Sequence, residues 1–217
     1  MAGKTSAAAH PADPNQENPP IESLAEARLS VQACRRCDLY ANATQAVFGE
    51  GPAHARILFV GEQPGDQEDL AGKPFVGPAG RLFDQCLEHA AIDRTEVFVT
   101  NAVKHFKFEP RGKRRLHKRP DASEIAACRF WLELETEFLE PAVIVALGAT
   151  AARSVLGKVV TIGKVRGAPI KRGNDPPAFV TIHPSYLLRI RDREDARRER
   201  EAFEADLAAI RDLAGGH

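Results

Sequence analysis

The chain has 217 residues, 43% of them hydrophobic, which suffices for one domain with a sizeable core and is too apolar for a wholly disordered chain. Lys plus Arg and Asp plus Glu both number 30, so net charge neither suggests nor excludes a nucleic-acid partner. No apolar run approaches the roughly 20 residues of a membrane span, and the first 20 residues carry Lys4 but no apolar segment of the secretory kind, so the expected setting is cytoplasmic, with no membrane partner and a monomeric state.

Residues 1–20 are rich in Ala, Pro, Asn and Gln and are expected to form a disordered tail, leaving 21–217 as one folded domain. A short helix is predicted over 21–31. It leads into Cys34-Arg35-Arg36-Cys37, whose spacing is a common metal-binding half-site. Cys86 and Cys128 complete the cysteines, and in a reducing compartment disulfides are not expected. Apolar runs at 57–60, 97–100, 143–147 and 179–182 predict buried strands. Unbroken apolar runs suit a parallel sheet covered on both faces. Helical patterns lie between them. Residues 81–91 place Leu82, Phe83, Cys86, Leu87 and Ala90 on one stripe. Residues 121–139 open with Asp121, Ser123 and Glu124, good first-turn residues. Further helices are predicted over 150–156 and 193–213. The alternation gives a single α/β domain, three layers deep (α/β/α), around a four-stranded parallel sheet.

In open parallel sheets, ligands bind beyond the carboxyl ends of the strands. That edge carries Gly61-Glu62-Gln63-Pro64-Gly65, Asn101, Gly148-Ala149-Thr150 and His183-Pro184-Ser185. Three of these tips hold a residue able to do acid, base or hydrogen-bonding work.

Those segments, with Gly72-Lys73-Pro74-Phe75-Val76-Gly77-Pro78-Ala79-Gly80 and His183-Pro184-Ser185-Tyr186-Leu187-Leu188-Arg189, resemble the uracil-DNA glycosylase superfamily, and within it the iron–sulphur type called family 4. The resemblance implies removal of uracil from DNA, which requires the base to leave the stack and enter a pocket. Phe75 matches the aromatic that stacks on the base. Asn101 matches the amide that reads the uracil edge with one donor and one acceptor. His183 matches the donor that stabilises charge on the departing uracil. Glu62 matches the acidic residue beside the sugar, and backbone donors around Gln63, Pro64 and Gly65 are expected near uracil.

The resemblance also implies a metal centre. Cys34, Cys37 and Cys128 match three of the family's four cluster ligands. The fourth position reads Asn101-Ala102-Val103-Lys104-His105, so His105 stands where the family has Cys. Cys86 lies on an apolar helical stripe and reads as a small hydrophobe. Imidazole replaces thiolate on iron in some clusters, and three Cys with one His also suit zinc. The family pattern favours a [4Fe–4S] cluster.

Residues 104–119 hold eight Lys or Arg against Glu109 alone, a net +7 and an electrostatic footprint for phosphate. Lys113, Arg114, Arg115 and Lys118 are the candidate DNA contacts here, with Ser185 at the fourth strand tip. Inside this run, Lys113-Arg114-Arg115-Leu116-His117-Lys118 resembles the loop of the UdgX subgroup, and Gln63 and His105 fit that subgroup too. The subgroup excises uracil and then bonds to the DNA through the loop His. A neutral imidazole has a free lone pair and is a competent nucleophile, so the expectation is a covalent link through His117 after uracil excision from single-stranded DNA. Two alternatives stand beside it: a turnover enzyme in which His117 touches phosphate, and a non-catalytic metal-containing nucleic-acid-binding module.

Overall fold

The computed structural model describes Asp13, Gln16, Glu17 and residues 20–215, so the expected disordered tail lies almost wholly outside the described residues. The Ser23 side chain accepts the Glu26 N–H and starts helix α1 (Leu24–Ser30), which passes through a 3-10 turn at Val31–Ala33 into the Cys pair. Strand β1 (Ile57–Gly61) is buried throughout. Helix α2 (Asp66–Ala71) has three acids in its first turn, where the helix dipole favours them. Pro78 begins α3 (Pro78–His89), since its fixed φ suits a first turn and no N–H is lost there. Strand β2 (Phe98–Asn101) is followed by a hairpin of β3 (Phe108–Arg111) and β4 (Arg114–His117). Asp121 and Glu124 form a reciprocal cap on α4 (Ala122–Leu139). The remaining elements are β5 (Val143–Leu147), α5 (Ala149–Leu156), α6 (Ile162–Val165), β6 (Pro169–Arg172), β7 (Asp175–Thr181), α7 (Pro184–Leu187) and α8 (Arg193–Gly215).

The central sheet has the order β2-β1-β5-β7-β6. The first four strands are parallel, and β6 runs antiparallel to β7 at the edge. The expected four-stranded parallel sheet is therefore corrected to five strands. Pro169-Ile170-Lys171-Arg172 has no apolar run because only Ile170 and Arg172 of this edge strand turn partly inward, Ile170 against the first core, while Pro169 and Lys171 are exposed, residue types that suit an open edge. Asp175-Pro176-Pro177 likewise conceals the start of β7.

Alternate residues of each parallel strand enter opposite cores. Leu58, Val60, Ile144, Ala146, Ala178 and Val180 meet Val31 of the 3-10 turn, Trp131 of α4 and Val155 of α5. Ile57, Phe59, Val143, Val145 and Phe179 meet Phe83 of α3 and Phe203, Leu207 and Ile210 of α8. A period of two along strands that are apolar at every position yields three layers. Cys86 belongs to the second core, across the sheet from Cys34 and Cys128 in the first.

The basic stretch forms the β3–β4 hairpin. Arg111 pairs with Arg114, leaving Gly112 and Lys113 as a two-residue turn. Gly112 has φ 59°, the left-handed backbone that the first central position of such a turn requires.

Candidate active site

The carboxyl ends of β1, β2, β5 and β7 open into a cavity of about 990 Å³. Glu62, Phe75, Asn101, His117 and His183 all line it. Gly61 is the hinge point: a Cβ there would strike the Asn101 side-chain oxygen and lie 2.9 Å from the Phe75 ring. The absence of a side chain lets an aromatic ring and an amide meet at the strand tip. Phe75 takes a left-handed backbone, φ 58°, and Gly80 of α3 abuts its carbonyl so closely that any Cβ would collide. Behind it the ring packs on Phe83 at 5.4 Å, and His183 lies at 6.1 Å. The Asn101 amide makes no hydrogen bond among the described residues, and Asn101 borders the cavity.

His183 caps α7. Its Nδ1 accepts the Ser185 N–H at 3.1 Å and lies 2.9 Å from the Ser185 hydroxyl. A backbone N–H only donates, so Nδ1 holds a lone pair and the proton sits on Nε2. Burial, with Arg189 and His117 nearby, pushes its pKa down to about 4. At neutral pH His183 is an uncharged ring with its donor nitrogen free of the cap. Ser185 is thus engaged with His183 and with Arg189 Nη1 at 3.3 Å.

Glu62 is held from three sides. The Thr150 hydroxyl donates to Oε2, His117 Nε2 lies 3.3 Å from Oε1, and Arg119 Nε lies 3.6 Å from Oε2. The sequence offered Thr150 only as part of a strand tip and Arg119 only as one of a charge run; neither was singled out as a partner of Glu62.

His117 arrives at Glu62 because the hairpin is clamped. Gln63 Nε2 donates to the carbonyls of Lys107 at 3.1 Å and Lys118 at 3.0 Å, while its Oε1 accepts the Lys107 N–H at 3.0 Å. The Gln63 side chain therefore grips the base of the hairpin. Pro64 is buried and brings no N–H, and the Gly65 N–H is taken by the Glu68 carboxylate at 3.1 Å. Arg115 turns inward to Asp66 at 2.6 Å and buried Asp69 at 2.5 Å, and lies over the rings of Phe106 and Phe108. The i, i+3 pair Asp66 and Asp69 was a legible helical spacing whose partner the sequence did not reveal.

The +7 stretch is accordingly less free than its sequence suggests. Lys104 is buried against Glu135, Lys107 pairs with Asp121 and Glu124, and Arg115 and Arg119 have the partners above. Among the described residues, Arg111, Lys113, Arg114 and Lys118 are the cations of this stretch without a carboxylate partner, and all four are exposed.

Cys34, Cys37 and Cys128 lie in or against the same core. Trp131 Nε1–H donates to Cys34 Sγ at 3.2 Å, and the Lys104 N–H donates to Cys128 Sγ at 3.1 Å. Burial raises the Cys37 thiol to about 11 and the Cys128 thiol to about 12, each pushed further by its neighbouring cysteines. Such thiols become thiolates when a bound cation offsets their charge. His105 is buried, and burial holds it near 4, neutral and able to ligate. Among the described residues no three such groups already stand at the spacing that grips a single ion. The donor types, the burial and the N–H groups aimed at sulfur fit a thiolate-bound centre.

Comparison with known proteins adds an independent line. The model of the Uracil DNA glycosylase superfamily matches residues 48–208. A Type-4 uracil-DNA glycosylase of Thermotoga maritima is 45% identical over 165 residues, covering 76% of this chain and 82% of that protein. Those of Sulfurisphaera tokodaii and Archaeoglobus fulgidus are 35% and 34% identical over 202 residues each, covering 89% and 90% of this chain and 86% and 95% of theirs.

Proposed function

The chain belongs to the uracil-DNA glycosylase superfamily, and from that premise we propose that it excises uracil from DNA and then bonds to the sugar through His117. The observation that carries the covalent step is the approach of His117 Nε2 to within 3.3 Å of Glu62 Oε1 at the cavity wall. A base in a single strand has no pairing energy to lose on entering the cavity, so single-stranded DNA is the favoured substrate.

Uracil stacks on Phe75 and presents its edge to Asn101. The His183 Nε2–H donates to the uracil oxygen on which charge builds as the C1′–N1 bond breaks and its electron pair leaves with the base. Glu62 stabilises the sugar cation. His117 attacks as the tautomer protonated on Nδ1: its Nε2 lone pair forms a C1′–N bond in place of the bond that broke, the ring becomes an imidazolium beside the Glu62 carboxylate, and the Nδ1 proton is then shed to solvent. Lys113, Arg114 and Lys118 hold flanking phosphates, and the other two candidates, Arg115 and Ser185, serve mainly to fix the hairpin and His183.

Cys34, Cys37, Cys128 and His105 would hold a [4Fe–4S] cluster, with zinc as the alternative for the same donors. When bound, such a centre ties the N-terminal segment, the loop after β2 and α4 together. Broad visible absorption with iron and sulphide supports the cluster; a colourless, zinc-loaded protein prepared without oxygen overturns it.

The second reading, a turnover glycosylase, is favoured by the relatives, which are named as Type-4 enzymes. Incubation with a uracil-containing oligonucleotide followed by a denaturing gel separates the two. The covalent reading expects a retarded, heat-stable band and uracil equal in amount to the protein, with the band lost in His117→Ser. Uracil in large excess and no band establish turnover. No uracil at all leaves the non-catalytic binding module.

A further inference from the structure

β2 is an edge strand of the central sheet, and Asn101 is its last residue. The Ala102 N–H turns inward to the Gly61 carbonyl at 2.9 Å. Neighbouring residues face opposite ways, so Val99 and Asn101 turn their backbone groups outward, away from β1. At Val99 the open edge is closed by Glu50, with N–H to carbonyl bonds of 2.8 and 2.9 Å in the two directions. At Asn101 a side chain does the closing: the outward carbonyl accepts the Lys104 ammonium at 2.8 Å.

That ammonium is fully buried and uses its other two donors on Thr100 Oγ1 at 2.6 Å and Glu135 Oε2 at 2.7 Å. Glu135 in turn accepts the Gly49 N–H and the Thr100 hydroxyl, both at 2.9 Å. A buried ion pair adds little stability over apolar side chains of the same size. Overall stability is therefore a poor account of this lysine, whereas its position is specific. The Asn101 amide has no hydrogen bond of its own among the described residues, so the direction it faces follows from its peptide, which β1 holds on the inner side and Lys104 on the outer.

We propose that Lys104 is a positioning residue for uracil recognition, its ammonium locking the Asn101 peptide so that the amide meets the base edge ready-oriented. The proposal rests on the uracil reading given above. Lys104→Met with Glu135→Gln removes the charge pair together while keeping an acceptor for Gly49 and Thr100. The experiment is a double-mutant cycle of this pair against Asn101→Ala, read by the single-turnover rate of uracil release and by inhibition with free uracil. The pair alone is expected to slow release and weaken free-uracil inhibition by roughly tenfold or more, the loss that follows one hydrogen bond to a charged group. In the Asn101→Ala background the same pair is expected to cost almost nothing further.

Effects that multiply, or unchanged inhibition by free uracil, overturn the proposal. Thr100→Val, which deletes one partner of the ammonium at nearly constant volume, provides the same cycle if the pair variant does not fold. It is expected to show a smaller, equally non-additive loss, and additivity there overturns the proposal too. A native chain that releases no uracil defeats the proposed function; a native chain that releases it with an additive cycle defeats only the role of Lys104.

Discussion

Thr150 fixes which oxygen of Glu62 faces the hairpin. Its hydroxyl takes Oε2 and leaves Oε1 to His117. Thr150→Val keeps the shape and removes the bond, so the single-turnover rate of uracil release is expected to fall about tenfold with oligonucleotide affinity unchanged, and Thr150→Ser should recover most of it. His183 supplies a pH signature. Its pKa falls from 6.5 to about 4 on folding, mainly through burial. The unfolded chain therefore takes up the proton first as pH drops, so the stabilisation is complete above about pH 6.5 and is lost progressively down to about pH 4. Melting at pH 4.5 is expected well below melting at pH 7, and His183→Asn, which keeps a capping oxygen, should narrow that difference.

The β3–β4 hairpin is the element on which covalent capture depends. Two anchors hold it to the carboxyl end of β1 and to α2: the Gln63 amide with three backbone partners, and Arg115 with Asp66 and Asp69. Neither anchor touches the stacking or edge-reading groups. Gln63→Ala is therefore expected to quicken hydrogen exchange in the hairpin and to cut the yield of the heat-stable adduct several-fold. Uracil release should persist, so the variant is expected to shift product from the adduct to a free abasic site. Equal losses of release and capture would show that the hairpin also builds the base pocket. The first turn of α2 serves twice, since Asp66 and Asp69 suit the helix dipole and receive Arg115.

For the whole molecule, the balance of charge matters less than where charge is left over. Formal net charge is zero, yet among the described residues Arg111, Lys113, Arg114 and Lys118 stand exposed and without carboxylate partners, in or just after the hairpin whose His117 lines the cavity. Replacing Lys113 and Arg114 by Gln should weaken binding of single-stranded oligonucleotides of any sequence. The slope of log affinity against log salt should become shallower by roughly 1.4, about 0.7 for each phosphate no longer neutralised. Replacing Arg115 should instead act on adduct yield and hairpin order, because its charge is met inside the protein.

The sequence by itself determined the three-layer architecture and the identity of the cavity residues. Unbroken apolar runs such as Val143–Leu147 can be satisfied only between two helical layers, and the tips of such strands are where Glu62, Asn101 and His183 had to meet. It missed β6, whose Lys and Arg carry no burial signal, and the hairpin, whose strands are mostly exposed. It placed the backbone around Gln63 near uracil but gave the Gln63 side-chain amide no partner, and it read the 104–119 run as one electrostatic footprint without its internal ion pairs. Tertiary structure alone decided those matters. Whether an amide faces a ligand or a loop, and whether a cation is free or paired, depends on partners distant in the chain, such as Glu135 for Lys104 and Lys118 for Gln63. Local pattern reports which surfaces must be buried; the pairing of polar groups is fixed only when the buried surfaces have brought them together.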